Sequence, residues 1–273
     1  MPMLRFLMMT LALVAGLCAI PVGAEPTHIR PALLSESAEP APGRDVTLAL
    51  AMTPDKGWHG YWKNPGDAGM ETIVRWTLPD GVKAGPLVFP VPQRLKVAGI
   101  MNYVYEGPYA HLVTLHLARG LKPGTRLPIR AEVEWLACTD TICVPENASL
   151  AIELVVGSGT IGDSFDRFRE KLPKLFDEKA AFELRGGMVR LAIPFPADTT
   201  LNDPWFFPLD PALIDQSAPE RISRAGDRLV IELKAKAQRV ERVEGVLAVA
   251  PGSGLAIAAL PGSVPAAGEP VGA

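Results

Sequence analysis

The stretch Ile129-Arg130-Ala131-Glu132-Val133-Glu134-Trp135-Leu136-Ala137-Cys138-Thr139-Asp140-Thr141-Ile142-Cys143-Val144-Pro145-Glu146 decides how the chain folds. From Ile129 to Trp135 the odd positions are apolar and the even ones charged, the period-two pattern of a strand with one buried face. Two cysteines follow, five positions apart. Fully extended, those five steps would separate their Cα atoms by roughly 17 Å, and a disulfide needs them within about 7 Å. A bridge therefore requires the backbone to reverse, and Thr139 to Ile142 has the length of a four-residue hairpin connection.

The same period-two signal recurs outward from this hairpin. Val46, Leu48, Leu50 and Met52 alternate with small or polar residues, as do Val113, Leu115 and Leu117, and Leu150, Ile152 and Leu154. Turn signals such as Asn64-Pro65-Gly66-Asp67 and Lys122-Pro123-Gly124 separate the strands. Residues 25–157 are thus expected to form an antiparallel β-sandwich. After a Gly-containing linker from Gly157 to Gly162, Phe165, Phe168, Leu172, Leu175 and Phe176 predict a helix within Asp163 to Glu178, which Pro173 would kink. Strand patterns return from Ala181, so residues 158–260 are expected to form that helix plus a second, smaller β domain. The Gly/Pro/Ala-rich residues 261–273 are expected to be disordered. The fold class is all-β.

Residues 1–24 have the pattern of an export signal. Arg5 precedes an apolar run from Phe6 to Ile20, and Val22-Gly23-Ala24 places small residues before Glu25, predicting cleavage after Ala24. Leu17 is too bulky for Cys18 to be a lipid-attachment site. Removal of the signal leaves Cys138 and Cys143 as the only cysteines of an exported protein. With 273 residues, 27 Lys+Arg against 30 Asp+Glu and a net charge of −3, the chain lacks the basic face of a general nucleic-acid binder.

By spacing alone the cysteine pair could be a structural staple, a redox pair or part of a metal site. A six-residue ring contributes only ~2 kcal/mol of loop-closure entropy, which is little for a staple. If the alternation from Ile129 continues, Cys138 falls with Arg130, Glu132 and Glu134 on the non-core face, which predicts an accessible sulfur. Asp140 and Glu146 are close in sequence, with no Lys or Arg between Arg130 and Arg167. Negative charge disfavours a thiolate, and a pair without thiolate stabilisation is expected to act as a reductant. His28, His59, His111 and His116 form no zinc motif, and His111 and His116 should face opposite sides of their strand. No metal or other cofactor is expected, although thiolates with a distant histidine would suit copper or zinc. Trp58, Tyr61 and Trp62 are expected to be structural, and Trp135 to pack beneath the cysteine turn. Tyr103, Tyr105 and Tyr109, bounded by Gly and Pro, are candidates for a capping or partner contact.

Three landmarks in order resemble the amino-terminal periplasmic domain of the DsbD and ScsB-like thiol:disulfide interchange proteins. They are Trp58-His59-Gly60-Tyr61-Trp62-Lys63-Asn64-Pro65-Gly66-Asp67-Ala68-Gly69, Asn102-Tyr103-Val104-Tyr105-Glu106-Gly107, and Trp135 through Glu146. Trp205-Phe206-Phe207-Pro208 and Leu213-Ile214-Asp215 resemble the region that follows in the ScsB-like branch. The resemblance implies an immunoglobulin-like sandwich with a redox-active Cys138/Cys143 pair. Cys143 would form mixed disulfides and Cys138 would resolve them, under a cap loop that includes Tyr103, Tyr105 and Glu106. It also implies a periplasmic location and partners of two kinds. One is a membrane-embedded thiol carrier, here a separate polypeptide; the others are periplasmic thioredoxin-like or disulfide isomerase proteins. The rival readings are a non-catalytic binding module with a structural disulfide, or a copper-handling protein.

Overall fold

The computed structural model describes residues 27–162 and 165–271. The expected export signal and cleavage point lie outside the described residues, as do Asp163 and Ser164 at the expected helix start. The first strands are β1 (Ile29–Ser35), β2 (Asp45–Pro54), β3 (Gly60–Gly66), β4 (Ile73–Thr77) and β5 (Val82–Ala84). Then come β6 (Gln93–Val97), β7 (Ile100–Tyr105), β8 (Tyr109–Leu117), β9 (Arg126–Cys138) and β10 (Cys143–Val155). A short helix, α1 (Asp166–Arg169), precedes β11 (Lys174–Leu175), β12 (Ala180–Arg185), β13 (Met188–Pro194), β14 (Trp205–Pro208) and β15 (Arg221–Arg224). The chain closes with β16 (Arg228–Lys234), β17 (Val243–Ala250), β18 (Ser253–Pro261) and β19 (Glu269–Pro270).

The fold is all-β, an immunoglobulin-like sandwich followed by a second, smaller β unit. One layer of the sandwich has the order β1-β2-β8-β5 and the other β10-β9-β4. The period-two residues meet between them. Val46, Leu48, Val113 and Leu115 pack on Leu127, Ile129 and Leu154, while Leu50 and Met52 pack on Ala131, Val133 and Trp135. His111 points inward and is fully buried, and His116 points outward beside Asp45. At the edge of this sandwich β3, β7 and β6 form a separate three-stranded sheet. The remaining nine strands make one sheet, β14-β17-β18-β12-β13-β16-β15-β19 with β11 against β18, curled around its own core of Phe182, Leu191, Phe206, Leu229, Ile231 and Leu247.

Two sequence expectations are corrected. The helix expected through Glu178 is a single turn, because Pro173 ends it and Lys174–Leu175 joins β18 as a parallel strand. Phe165, Phe168 and Leu172 still share one face, packed against Ala49, Ala110 and Leu112. The tail is ordered through Val271. Gly262 N–H donates to the Phe182 carbonyl, Gly268 N–H to Ser223 Oγ, and Glu269 pairs with Arg224. Composition suggested disorder, but these backbone donors find partners on the curled sheet. The linker is likewise pinned: Gly157 and Gly159 donate to the carbonyls of Pro40 and Glu39. Gly159 has φ 79°, and a Cβ there would lie 2.9 Å from that of Ala41.

Candidate functional site

The hairpin β9–β10 places Cys138 directly opposite Cys143, and the two are joined by a disulfide with Cα atoms 4.1 Å apart. The four-residue turn closes it. Thr139 N–H donates to the Ile142 carbonyl at 2.8 Å, while Thr139 Oγ1 accepts the N–H groups of Thr141 and Ile142. This local hydroxyl bonding fixes a reversal that side-chain packing alone would not.

The two sulfur-bearing residues have different surroundings. Cys143 is exposed, and its neighbour Ile142 is 55% exposed at the turn. Cys138 is 0% exposed, which corrects the expectation of an accessible sulfur there. The side-chain parity holds, since Cys138 shares its face with Leu136, Glu134 and Glu132. At this end, however, the face does not meet solvent. His59 exchanges both backbone hydrogen bonds with Cys138, at 2.8 and 3.0 Å, and the chain runs on from it into β3. Tyr61 of β3 and Val104 of β7 are cross-strand partners and pack on Cys138, flanked by Leu95 and Leu136. Tyr61 fits here because Gly69, at φ 105°, leaves room for its ring; a Cβ would come within 2.2 Å of it.

The cover is therefore Tyr61 and Val104, and the cap assignment is corrected. Tyr103 and Tyr105 are strand residues of β7 that point to the opposite face from Val104. Tyr103 Oη donates to Gln216 Oε1 at 2.8 Å, and Tyr105 Oη to the Pro90 carbonyl at 2.7 Å. Tyr105 also stacks on Tyr109, ring centroids 4.2 Å apart. Glu106 is exposed beyond the end of β7, its N–H donating to Gln93 Oε1. The alternation rule pairs residues 103 and 105, and equally 61 and 63, but it does not say which face of an isolated three-stranded sheet meets the cysteines.

Of the two carboxylates expected beside the pair, only Asp140 sits in the turn, where it is exposed. Glu146 is buried on the opposite face, accepting His28 N–H at 2.6 Å, Ile29 N–H at 3.2 Å and Trp135 Nε1–H at 2.8 Å. It locks β1 to the hairpin, and Asp140 remains as the acid in the turn between the two cysteines. His59 was missed as a neighbour of the pair. Burial holds its imidazole below the usual histidine range, against the opposing pull of the Asp140 charge. Its signal was adjacency to Tyr61 in the Trp58–Gly69 landmark. Trp58 itself stacks on His28, at 3.5 Å between centroids, outside the site. Among the described residues no three His, Cys, Asp or Glu side chains converge as a metal site would require.

The model of the family described as "Thiol:disulfide interchange protein DsbD, N-terminal" matches residues 31–154, a span that holds both cysteines, Tyr61 and Val104. Over residues 31–154 the chain is thus DsbD/ScsB-like. The N-terminal periplasmic domain of ScsB from Proteus mirabilis is similar over 88% of this chain and 95% of its own, at 15% identity and a TM-score of 0.64. The ScsB-like architecture takes in the second β unit as well as residues 31–154. A chain of the complex between the DsbD and PilB N-terminal domains from Neisseria meningitidis also matches, at 13% identity over 50% of this chain and 88% of its own, with a TM-score of 0.27. None of the curated proteins matches the chain.

Proposed function

We propose that this protein exchanges disulfides with other proteins of the periplasm, with Cys143 as the point of attack and Cys138 as the resolving partner. The observation that carries this reading is the asymmetry of the bridge: an exposed Cys143 bonded to a fully covered Cys138. A partner's thiolate reaches the Cys143 sulfur and displaces Cys138 as a thiolate. The mixed disulfide is then resolved when the partner's second thiolate attacks the partner's own sulfur and displaces Cys143 as a thiolate, leaving the pair reduced and the partner oxidised. In the reducing direction the same atoms run in reverse: Cys143 thiolate attacks a partner disulfide, and Cys138 then displaces the partner in its reduced form. The match of residues 31–154 to the DsbD family supports this chemistry, and the likeness to a ScsB domain named as periplasmic supports the location. Asp140 beside the turn, with the other nearby acid withdrawn into the core, supports a pair that donates electrons rather than one that oxidises.

On this reading a membrane-embedded thiol carrier reduces the pair, and thioredoxin-like or isomerase proteins receive its electrons. The sulfurs carry the two electrons themselves, so no bound cofactor is required. The test is the reduction potential of the full chain together with its rate of exchange. The account expects exchange with a protein dithiol within seconds to minutes and a potential more reducing than about −180 mV, the level of protein disulfide isomerase. A potential well below about −300 mV with slow exchange would mark a structural bridge and defeat the proposal.

A further inference from the structure

The covering sheet has two faces, and the second is occupied by the second β unit. Trp62, Met101, Tyr103 and Tyr105 point away from the disulfide into a cluster completed by Phe207, Val246 and Ala248. Phe207 meets Tyr103 and Trp62 edge-on, at 4.9 and 6.0 Å between centroids. Polar contacts, two of them buried, lock the same face. Asn64 Nδ2 donates to the Pro208 carbonyl at 2.7 Å, Tyr103 Oη to Gln216, and Met101 N–H to Ser217 Oγ at 3.2 Å, with Ser217 also bonded to Asp67. At the outer strand Arg94 pairs with Asp203 at 2.6 Å and lies over the Trp205 ring at 4.5 Å.

We propose that the second β unit is a positioning element for disulfide exchange: it holds β3, β7 and β6 against the hairpin, so that Tyr61 and Val104 stay seated on Cys138 while partners meet only Cys143. The proposal rests on the exchange reading above and adds to it the direction of approach. Because Tyr61 and Trp62 are adjacent on one strand, as are Val104 and Tyr103 on another, the cover cannot lift from Cys138 without stripping the opposite face from Phe207. An incoming thiolate therefore forms its S–S bond to Cys143, and the electron pair of the broken bond passes to the covered Cys138 sulfur. A partner needs a cysteine that reaches the turn, not one that displaces a lid.

Amide hydrogen exchange on the oxidised full chain tests the clamp without any substitution. Amides of β3 and β7 should exchange in step with those of β14 and β17, as one cooperative unit. Covering-sheet amides that exchange more than about tenfold faster than those of β14 and β17 would show a cover that opens on its own and overturn the proposal. A second measurement uses the reduced protein, with iodoacetamide labelling read at each cysteine. Combining Tyr103→Phe with Ser217→Ala removes the Tyr103–Gln216 bond and the Ser217 hydroxyl's bonds to Met101 and Asp67 from the clamp, so labelling of Cys138 should rise about tenfold while that of Cys143 stays within about twofold. An unchanged Cys138 rate would again overturn it. A wild-type disulfide that dithiothreitol cannot open would defeat the exchange reading itself, and the clamp with it; that outcome is distinct, because it concerns Cys143 rather than the cover.

Discussion

At the scale of single residues, two buried titratable groups set the pH response of stability. His111 is fully buried with both ring nitrogens unpartnered among the described residues, and burial lowers its pKa from 6.5 to about 3. The unfolded chain thus binds the extra proton between those values, and stability falls as pH drops from 6.5. Glu220 has the opposite sign. Its Oε2 is buried without a partner among the described residues, and burial raises its pKa from 4.5 to about 8, so the folded state holds the proton and stability falls as pH rises through that window. Each contributes a slope of ~1.4 kcal/mol per pH unit. The two cancel between pH 4.5 and 6.5, which leaves a plateau with a falling limb on each side. Urea denaturation across pH 3.5 to about 8 checks this: Glu220→Gln should abolish the alkaline limb and turn the plateau between pH 4.5 and 6.5 into a rise, because the His111 slope is then unopposed, and a wild-type curve still rising above pH 6.5 would contradict it. At the bridge, Cys138→Ser and Cys143→Ser should each lose ~2 kcal/mol, the value of a six-residue ring, yet differ sharply in their chemistry.

Among the elements, the β9–β10 hairpin was the most legible part of the sequence. Its alternation from Ile129 to Trp135 fixes which side chains enter the core, and the cysteine spacing fixes the turn. The site around it was less legible because its second wall comes from far along the chain. Tyr61 and Val104 look like any strand residues, and only the bridge from His59 to Cys138 brings their sheet over the sulfur. Charge proximity in sequence misled for a similar reason: Glu146 lies three residues past Cys143 but on the other face of its strand. That placement carries its own prediction. Glu146→Ala strands two buried donors and one half-buried one and should cost about 3 kcal/mol in chemical denaturation, well above an exposed hairpin carboxylate such as Glu132→Ala, at about 0.5 kcal/mol. Equal losses for the two would show that Glu146 does not tie β1 to the hairpin.

For the whole molecule, the sandwich and the curled sheet share the core that surrounds Phe207, so they should unfold together. A single urea transition is expected, and Phe207→Ala should shift it by about 3 to 5 kcal/mol without splitting it. Two separated transitions in the wild type would mean that the units are energetically independent. Residues 25–157 alone would expose Trp62, Met101 and Tyr103, and should be less soluble than the full chain. What all of this organisation serves is a bridge with a single door. The most direct check is to mix the oxidised full chain with excess reduced glutathione, quench with acid, and map the adduct by mass spectrometry. The account predicts glutathione on Cys143 with Cys138 released as the free thiol; an adduct on Cys138, or no adduct at all, would contradict it.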